Sequence, residues 1–169
     1  ESFGLGKSAQ EIVFCKKAIE HEDGKGMIVL LLWVKQEFTR DAVELLGYQM
    51  PQYCRTMDEV KASKSDIILT DYERVRDGDI TPSYFKAASL DEASVLRSFG
   101  SKTYQTFLDK FRGAPYKLVA TATPSPNRYK ELIHYAGYLE VMDTGQALTR
   151  FFHIVSKKAN NLTLYPNME

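Results

Sequence analysis

The sequence predicts an α/β domain in which a mainly parallel sheet lies between helices. Short apolar runs alternate with longer amphipathic stretches along the chain, and the runs are apolar enough for strands that are covered on both faces. Strands that alternate with helices at these lengths form βαβ units, in which the strands are parallel. The length of 169 residues suits one domain with a buried core.

The elements follow in order from the N-terminus. Helices are predicted over residues 8–20, 34–46, 56–62, 103–111 and 128–139. The first two rest on apolar residues that recur at the spacing of one helix face. Four β-favouring apolar runs predict strands over residues 27–32, 66–70, 87–90 and 116–120. The tail from residue 153 is polar around 157–161, so we expect a connector there.

Composition excludes several classes of function. The chain has 22 basic and 22 acidic residues, so it cannot hold a polyanion by bulk charge, and any nucleic-acid contact requires a local patch. Two cysteines are too few for a disulfide framework or a four-ligand zinc site. The longest apolar run covers residues 27–34, far fewer than the ~20 residues that cross a bilayer. We therefore expect a cytoplasmic protein without membrane contact.

A glycine-rich turn opens the first predicted helix. It consists of Gly4, Leu5, Gly6, Lys7 and Ser8. Backbone N–H groups of such a turn, together with a helix N-terminus, bind phosphate oxygens. In a phosphate loop, Lys7 reaches the β- and γ-phosphates and the Ser8 hydroxyl takes a place on Mg²⁺. Glu1 stands where the strict motif has its first glycine, so the match on these residues alone is imperfect.

Two adjacent carboxylates follow the predicted strand over 87–90. Asp91 and Glu92 lie at its carboxyl end, where ligands gather in open α/β sheets. There Asp91 can hold a Mg²⁺ shell, while Glu92 orients and deprotonates an attacking water. An isolated Asp-Glu pair more often indicates a solvated loop. The position of this pair, downstream of a phosphate loop that carries a lysine, favours the functional interpretation.

Two hydroxyls follow the predicted strand over 116–120. Thr121 and Thr123 are separated by one residue, so on an extended chain their side chains lie on the same side. Turn chemistry before the bend at residues 124–126 is the alternative explanation.

Taken together and in this order, the three segments resemble motifs I, II and III of superfamily 2 helicases and translocases. The nearer resemblance is to the Swi/Snf-type branch, particularly its phage- and prophage-borne members, which are often associated with methyltransferases. In that branch an acidic residue commonly replaces the first loop glycine, as Glu1 does here. Residues 28–38 resemble motif Ia, with Leu31 at the place of the family's usual proline, and further similar segments are 69–73, 96–99, 127–132 and 151–152.

The resemblance implies a three-layer RecA-like P-loop NTPase domain over residues 1–152, and a connector over 153–169 toward a second RecA-like domain. The family's strand before the phosphate loop would precede Glu1, so we expect a truncated first strand and a gap in the sheet. ATP and Mg²⁺ are the implied cofactors. Lys7 and Ser8 would bind phosphates and metal, Asp91 would bind the metal, and Glu92 would be the catalytic base.

The resemblance also implies a DNA-facing side. Thr121 and Thr123 would couple the nucleotide state to that side. The strand ends that would face the DNA backbone contain Val34, Gln36, Thr70 and Tyr72. Trp33 has two interpretations, because it could stack on a base or pack beneath the motif Ia helix.

The expected function is therefore the N-terminal motor domain of an ATP-dependent DNA helicase or translocase from a bacterial or phage-infected cell. Expected partners are DNA, a second RecA-like domain and a DNA methyltransferase. The domain alone is expected to bind Mg-ATP weakly and to hydrolyse it poorly. Two alternatives remain at this point: another P-loop ATPase, or a non-catalytic, motor-like scaffold that docks a DNA-modifying partner.

Overall fold

The structure, a computed structural model, describes residues 6–21, 23–93, 101–120, 138–139, 152–158 and 161–166. The chain forms two compact units, Glu1–Ala122 and Thr123–Glu169. The domain boundary predicted after residue 152 lies inside the second unit. Within the described ranges, no helix has the length and apolarity that a membrane span requires.

The first unit is built around one five-stranded sheet. Its strands are β1 (Gly26–Leu30), β2 (Gln52–Tyr53), β3 (Ile67–Asp71), β4 (Ala87–Asp91) and β5 (Tyr116–Ala120). Its helices are α1 (Lys7–His21), α2 (Lys35–Arg40), α3 (Met57–Ala62), α4 (Tyr72–Arg76) and α5 (Ser101–Asp109). The strand order is β2-β3-β1-β4-β5, and every pairing is parallel. The predicted α/β class with a parallel sheet is confirmed.

The centre of this sheet is buried on both faces. Every residue of β1, β3 and β4 is buried, although successive side chains of a strand point to opposite faces. On one face Ile28, Leu30 and Leu69 belong to a core cluster with Ile12 and Cys15 of α1. Burial on both faces explains why these strands are continuous apolar runs in the sequence.

The sheet pairs without interruption from β2 to β5, so the expected gap is not found. Among the described strands, β5 forms one edge of the sheet and β2 the other. All five residues of β5 are half-buried, in contrast to the fully buried strands beside it. All five strands of this sheet follow α1 in the chain.

The region of the helix predicted over residues 34–46 consists of three successive segments with different helical geometry. A 3₁₀ turn, Leu32–Val34, leads into α2, and α2 continues into a π-helix, Asp41–Leu45. The N–H of Leu46 donates to the carbonyl of Asp41 over 3.0 Å, which is the wide turn of a π-helix. The segment is therefore helical throughout, as predicted, but its register changes at Asp41.

Two elements of the first unit, β2 and α4, were not predicted. The strand β2 has only two residues, and α4 begins directly where β3 ends. The Asp71 side chain caps α4 by accepting a hydrogen bond from the N–H of Arg74 over 3.1 Å. A helix therefore begins at Tyr72, which the sequence pattern places at the end of a strand.

The second unit contains an antiparallel pair, β6 (Phe152–Lys158) and β7 (Asn161–Pro166). The tail that was expected to be a polar connector over residues 153–169 thus contains two strands, and its role as a connector stays a prediction. The polar residues 157, 158 and 161 lie within these strands, where they form the pairs nearest the end of the ladder. Apart from 138–139, the helix predicted over 128–139 lies outside the described residues.

Candidate nucleotide-binding site

A lysine and two carboxylates meet at the carboxyl end of β4. The ammonium group of Lys7 lies 2.9 Å from Oε2 of Glu92 and 3.4 Å from Oδ1 of Asp91. Lys7 is the first residue of α1, and Asp91 is the last residue of β4. The fold thus brings together residues that are more than eighty positions apart. Gly4, Leu5, Thr121 and Thr123 lie outside the described residues.

Gly6 begins the turn that places Lys7. Its φ is +93°, in the region that side-chain-bearing residues rarely adopt. Its carbonyl accepts the first helical hydrogen bond from the N–H of Gln10 over 2.8 Å. A Cβ at this position would meet no atom within 4 Å. The glycine is therefore required by the backbone conformation and not by the space around it.

Glu92 has an unusual backbone conformation. It is the single non-glycine residue with a positive φ, 50°, in the described part of the chain. Such conformations are uncommon for a long side chain and persist where the surrounding structure enforces them, often at functional sites. Here the turn at the end of β4 brings the Glu92 carboxylate onto Lys7.

The carboxylates determine the charge state of Lys7. Burial alone lowers the pKa of its ammonium group, but the hydrogen bond to Glu92 and the negative charges of Asp91 and Glu92 raise the pKa overall. Lys7 is therefore a cation that is stabilised by this acidic pair. A bound phosphate would compete with the two carboxylates for the same ammonium group.

Glu11 is a buried acid beneath the site, and the sequence interpretation did not include it. The hydroxyl of Ser89 on β4 donates to Oε1 of Glu11 over 2.5 Å. Burial, followed by the charge of Asp91 and a hydrogen bond with it, raises the pKa of Glu11 to about 9. When Glu11 is protonated, its carboxyl group can donate a hydrogen bond to Asp91. Oε2 of Glu11 then has the hydrogen-bond partner that it lacks when Glu11 is ionised.

The position of Glu11 in α1 was the one feature of the sequence that could have indicated its place beneath the site. It lies four residues after Lys7 and therefore on the same face of α1. Its neighbour Ile12 is also fully buried, so a charged residue on this face had to find a polar partner inside the domain.

Ser8 contacts a residue that the motifs did not indicate. Its hydroxyl donates a hydrogen bond to Oδ2 of Asp41, the first residue of the π-helix. Ser8 itself is buried in the first turn of α1. No motif in the sequence relates these residues, because they come together only when the π-helix packs beside α1.

The oxygen atoms of this site suit Mg²⁺. Mg²⁺ prefers hard oxygen ligands and is commonly bound by one or two carboxylates together with substrate phosphates. The Ser8 hydroxyl and the Asp91 carboxylate offer that kind of donor set, and Lys7 connects Asp91 to the phosphate-binding turn. The residues present therefore fit a magnesium ion that is shared with a nucleotide.

The four predicted DNA contacts are in different environments. At the carboxyl end of β1, Gln36 is exposed and Val34 is half-buried. Thr70 and Tyr72 are interior residues, 0% and 3% exposed. The Tyr72 hydroxyl donates to the carbonyl of Asp91 over 2.5 Å. The side chains of Thr70 and Tyr72 thus lie inside the domain, and the assignment of these two residues as DNA contacts stays a prediction.

The burial of these two residues has a different cause in each case. Thr70 pairs in register with Val29 in the middle of the sheet, and Tyr72 starts α4 with its ring 5.6 Å from that of Phe107. Trp33, by contrast, is 80% exposed. It does not pack beneath the following helix, which was one of its two interpretations.

The chain is similar to known proteins in sequence and in fold. No protein-family model matches the chain. In sequence it is 25% identical over 144 residues to the SWI/SNF chromatin-remodeling complex subunit snf22 of Schizosaccharomyces pombe. It is 28% identical, also over 144 residues, to the ATP-dependent helicase brm of Drosophila melanogaster. Each match covers 78% of this chain but only 8% and 9% of those proteins.

The fold is similar to that of solved motor domains. The Sulfolobus solfataricus SWI2/SNF2 ATPase core matches with a TM-score of 0.69 and 20% identity, and the same core in complex with dsDNA matches with 0.68 and 19%. Each match covers 89% of this chain and about a third of the solved chain. The Hef helicase domain of Pyrococcus furiosus matches at 0.60 with 15% identity over 81% of this chain and 31% of that chain. The chain therefore has the RecA-like fold of a SWI2/SNF2 ATPase core and is similar in sequence to snf22 and brm.

Proposed function

We propose that this chain is the first motor domain of an ATP-dependent DNA translocase or helicase. The observation that carries the proposal is the junction of Lys7, at the start of α1, with Asp91 and Glu92, at the end of β4. A lysine from a glycine-rich turn beside two strand-end carboxylates is the arrangement that phosphoryl-transfer ATPases use. The sequence similarity to an ATP-dependent helicase supports the same function.

Each residue of the junction has a separate task in this proposal. Gly6 and its neighbours bind phosphate oxygens through backbone N–H groups. Lys7 leaves the carboxylates and binds the β- and γ-phosphates, which frees Glu92 to orient a water and accept its proton. Ser8 and Asp91 would hold Mg²⁺, and the bound ion would offset part of the negative charge of the phosphates.

The DNA contact is proposed at the carboxyl edge of the sheet, where the chain leaves β1. Gln36 is exposed there, and Trp33 projects into solvent beside it. Contacts to phosphate and sugar carry no sequence information, which suits a motor that moves along DNA. The likeness to an ATPase core solved with dsDNA supports DNA as the partner. Contacts of a few groups are compatible with zero net charge.

A second RecA-like domain belongs to the same proposal. Motors of this class bind ATP between two domains, and the second domain supplies an arginine that stabilises the transferred phosphoryl group. The present chain covers about a third of the solved ATPase cores that it matches. We therefore propose that this chain by itself binds Mg-ATP weakly and hydrolyses it poorly, and that rapid hydrolysis needs the second domain. A methyltransferase partner stays a prediction.

The proposal is tested by separating binding from hydrolysis. Lys7→Ala should lose nucleotide affinity, whereas Glu92→Gln should keep affinity and lose hydrolysis by about 100-fold or more, the usual contribution of a general base. Matched controls are Lys17→Ala and Glu20→Gln, which change exposed residues of the same helix α1. Equal nucleotide binding and hydrolysis in all four variants would overturn the motor assignment and favour the non-catalytic scaffold.

A further inference from the structure

Asp41 has an unexplained position beside the proposed metal site. Oδ2 of its carboxylate accepts the hydrogen bond from Ser8, and Oδ1 lies 3.5 Å from Nε of Arg40. The Asp41 side chain is largely buried, with 13% of its surface exposed, while that of Arg40 is mostly exposed. The carboxylate is therefore held at the inner surface of the π-helix, directed at the first turn of α1.

This contact determines what the Ser8 hydroxyl can do. A serine hydroxyl has one proton to donate and two lone pairs that can accept or bind a cation. When the proton is donated to Asp41, the lone pairs of Ser8 must point elsewhere, and the rotation of the hydroxyl is fixed. A carboxylate in this second position also makes the oxygen a better metal ligand, as outer-shell partners do in other metal sites.

We propose that Asp41 is a positioning residue that orients the Ser8 oxygen toward the Mg²⁺ of a bound nucleotide. The inference rests on the proposed nucleotide site and adds a residue that the phosphate-loop and strand-end motifs do not contain. Asp41 does not touch the metal in this assignment. It acts through the proton of Ser8.

The local helix geometry supports the assignment. The π-helix begins at Asp41, where the hydrogen-bond register changes from that of α2. Short π-segments are rare in helices, and those that occur are frequently found at functional sites. The change of register alters the direction in which the following side chains point. Here the residue at the change of register is the one whose carboxylate reaches Ser8, thirty-three positions earlier in the chain.

A purely structural role for Asp41 makes a different prediction. If the contact only fastened the π-helix to α1, its loss would weaken nucleotide binding equally with and without metal. If Asp41 orients a metal ligand, the loss should appear in the metal-dependent part of the affinity alone. The ratio of the two affinities therefore separates the roles, and it does not depend on turnover.

The experiment measures the affinity of a fluorescent ATP analogue in the presence of Mg²⁺ and in the presence of EDTA. In Asp41→Ala we expect the gain in affinity from Mg²⁺ to fall about 10- to 100-fold, the usual effect of removing an outer-shell partner, while affinity in EDTA is unchanged. Asp41→Asn should keep most of the gain, because its amide oxygen still accepts the Ser8 proton. The matched control is Glu44→Ala, an exposed acid of the same π-helix.

The Ser8→Ala, Asp41→Ala double variant tests whether Asp41 acts through Ser8. We expect it to be no weaker than Ser8→Ala alone, since residues that act as a unit are not additive. Additive losses, an unchanged Mg²⁺ gain in Asp41→Ala, or an equal loss in Glu44→Ala would overturn the assignment.

Folding is checked by thermal unfolding of each variant. If Asp41→Ala does not fold, Asp41→Leu, which has similar volume but no acceptor, replaces it with the same expected loss. Absence of any Mg²⁺-dependent nucleotide binding by the unmodified protein would overturn the proposed function, and the assignment of Asp41 with it. Normal binding by the unmodified protein together with an unchanged Asp41→Leu would overturn the assignment of Asp41 alone.

Discussion

The ammonium group of Lys7 lies between two carboxylates, 2.9 Å from that of Glu92 and 3.4 Å from that of Asp91. Lys7 therefore contacts both of the carboxylates that the proposed function assigns to the metal and to the water. Nucleotide binding in this account is an exchange of partners, in which phosphates replace carboxylates around the lysine.

The buried acid Glu11 should make stability depend on pH. Its folded-state pKa of about 9 is above the ordinary value of 4.5, so its contribution is fully present below about pH 4.5 and is lost as pH rises through about 9. Between those pH values the folded protein holds one proton more than the unfolded chain. The free energy of unfolding therefore falls by about 1.4 kcal/mol for each pH unit. The groups facing Glu11 are Asp91, Ser89 and Lys7. Denaturant unfolding of the protein without nucleotide from pH 5 to pH 9 measures this slope.

Glu11→Gln should flatten that slope. The amide can still accept from Ser89 and donate to Asp91, but it does not titrate. The variant should therefore be more stable than the unmodified protein at pH 9, with the difference shrinking toward pH 5. Glu20→Gln, an exposed change on the same helix, is the control and should leave the slope unaltered. An identical slope in the Glu11 variant would show that Glu11 does not hold a proton.

The hydroxyl of Tyr72 should stabilise the end of β4. It donates to the carbonyl of Asp91, and Tyr72→Phe would leave that buried carbonyl without this donor. We expect a loss of about 1 to 3 kcal/mol in the free energy of unfolding. The control is Tyr84→Phe, where the ring is exposed. A loss of the same size in both variants would mean that the hydrogen bond to Asp91 has no special role.

Gly6 and Gly47 form a matched pair of glycines. Both have a positive φ, +93° and +66°, and in both cases a Cβ would meet no atom within 4 Å. Replacement by alanine should cost about 1 to 2 kcal/mol of stability at each position, because the left-handed conformation is strained for alanine. Only Gly6→Ala should weaken nucleotide binding, since Gly6 places Lys7. Equal nucleotide affinities in the two variants would contradict the role of Gly6.

Trp33 provides a reporter of DNA contact. It is the single tryptophan of the chain, and it is 80% exposed, so intrinsic fluorescence should have the emission maximum of a solvated indole. Addition of duplex DNA should quench or shift this emission if the edge near Gln36 contacts the backbone. Trp33→Phe should leave stability within about 0.5 kcal/mol, as surface changes do. Emission that is unchanged at saturating DNA would place the DNA contact elsewhere.

The sequence predicted the fold where elements are long or fully buried. The continuous apolar runs of β1 and β3 and the helical spacing of α1 arise from burial, which is visible in one dimension. The two-residue strand β2 and the five-residue helix α4 are too short to show a period. The hairpin of β6 and β7 was missed because a polar turn resembles a polar linker in the sequence.

The site was predictable where a motif carries the chemistry. Lys7, Ser8, Asp91 and Glu92 could be proposed from the sequence because glycine-rich turns and strand-end carboxylates have recognisable spacing. Glu11 and Asp41 were not found, since each takes its meaning from a partner that only the tertiary fold supplies. For Tyr72, the turn from β3 into α4 directs the side chain inward, and no sequence period indicates that turn.

The most direct test of the account is the affinity of the protein for Mg-ATP, compared between the unmodified chain, Lys7→Ala and the control Lys17→Ala. The ammonium group of Lys7 is charged and close to the proposed phosphate-binding turn, whereas Lys17 is an exposed residue of the same helix. The account predicts measurable binding by the unmodified protein and by Lys17→Ala, and at least a tenfold weaker affinity for Lys7→Ala. Equal affinities of all three proteins, or no binding by the unmodified protein, would contradict it.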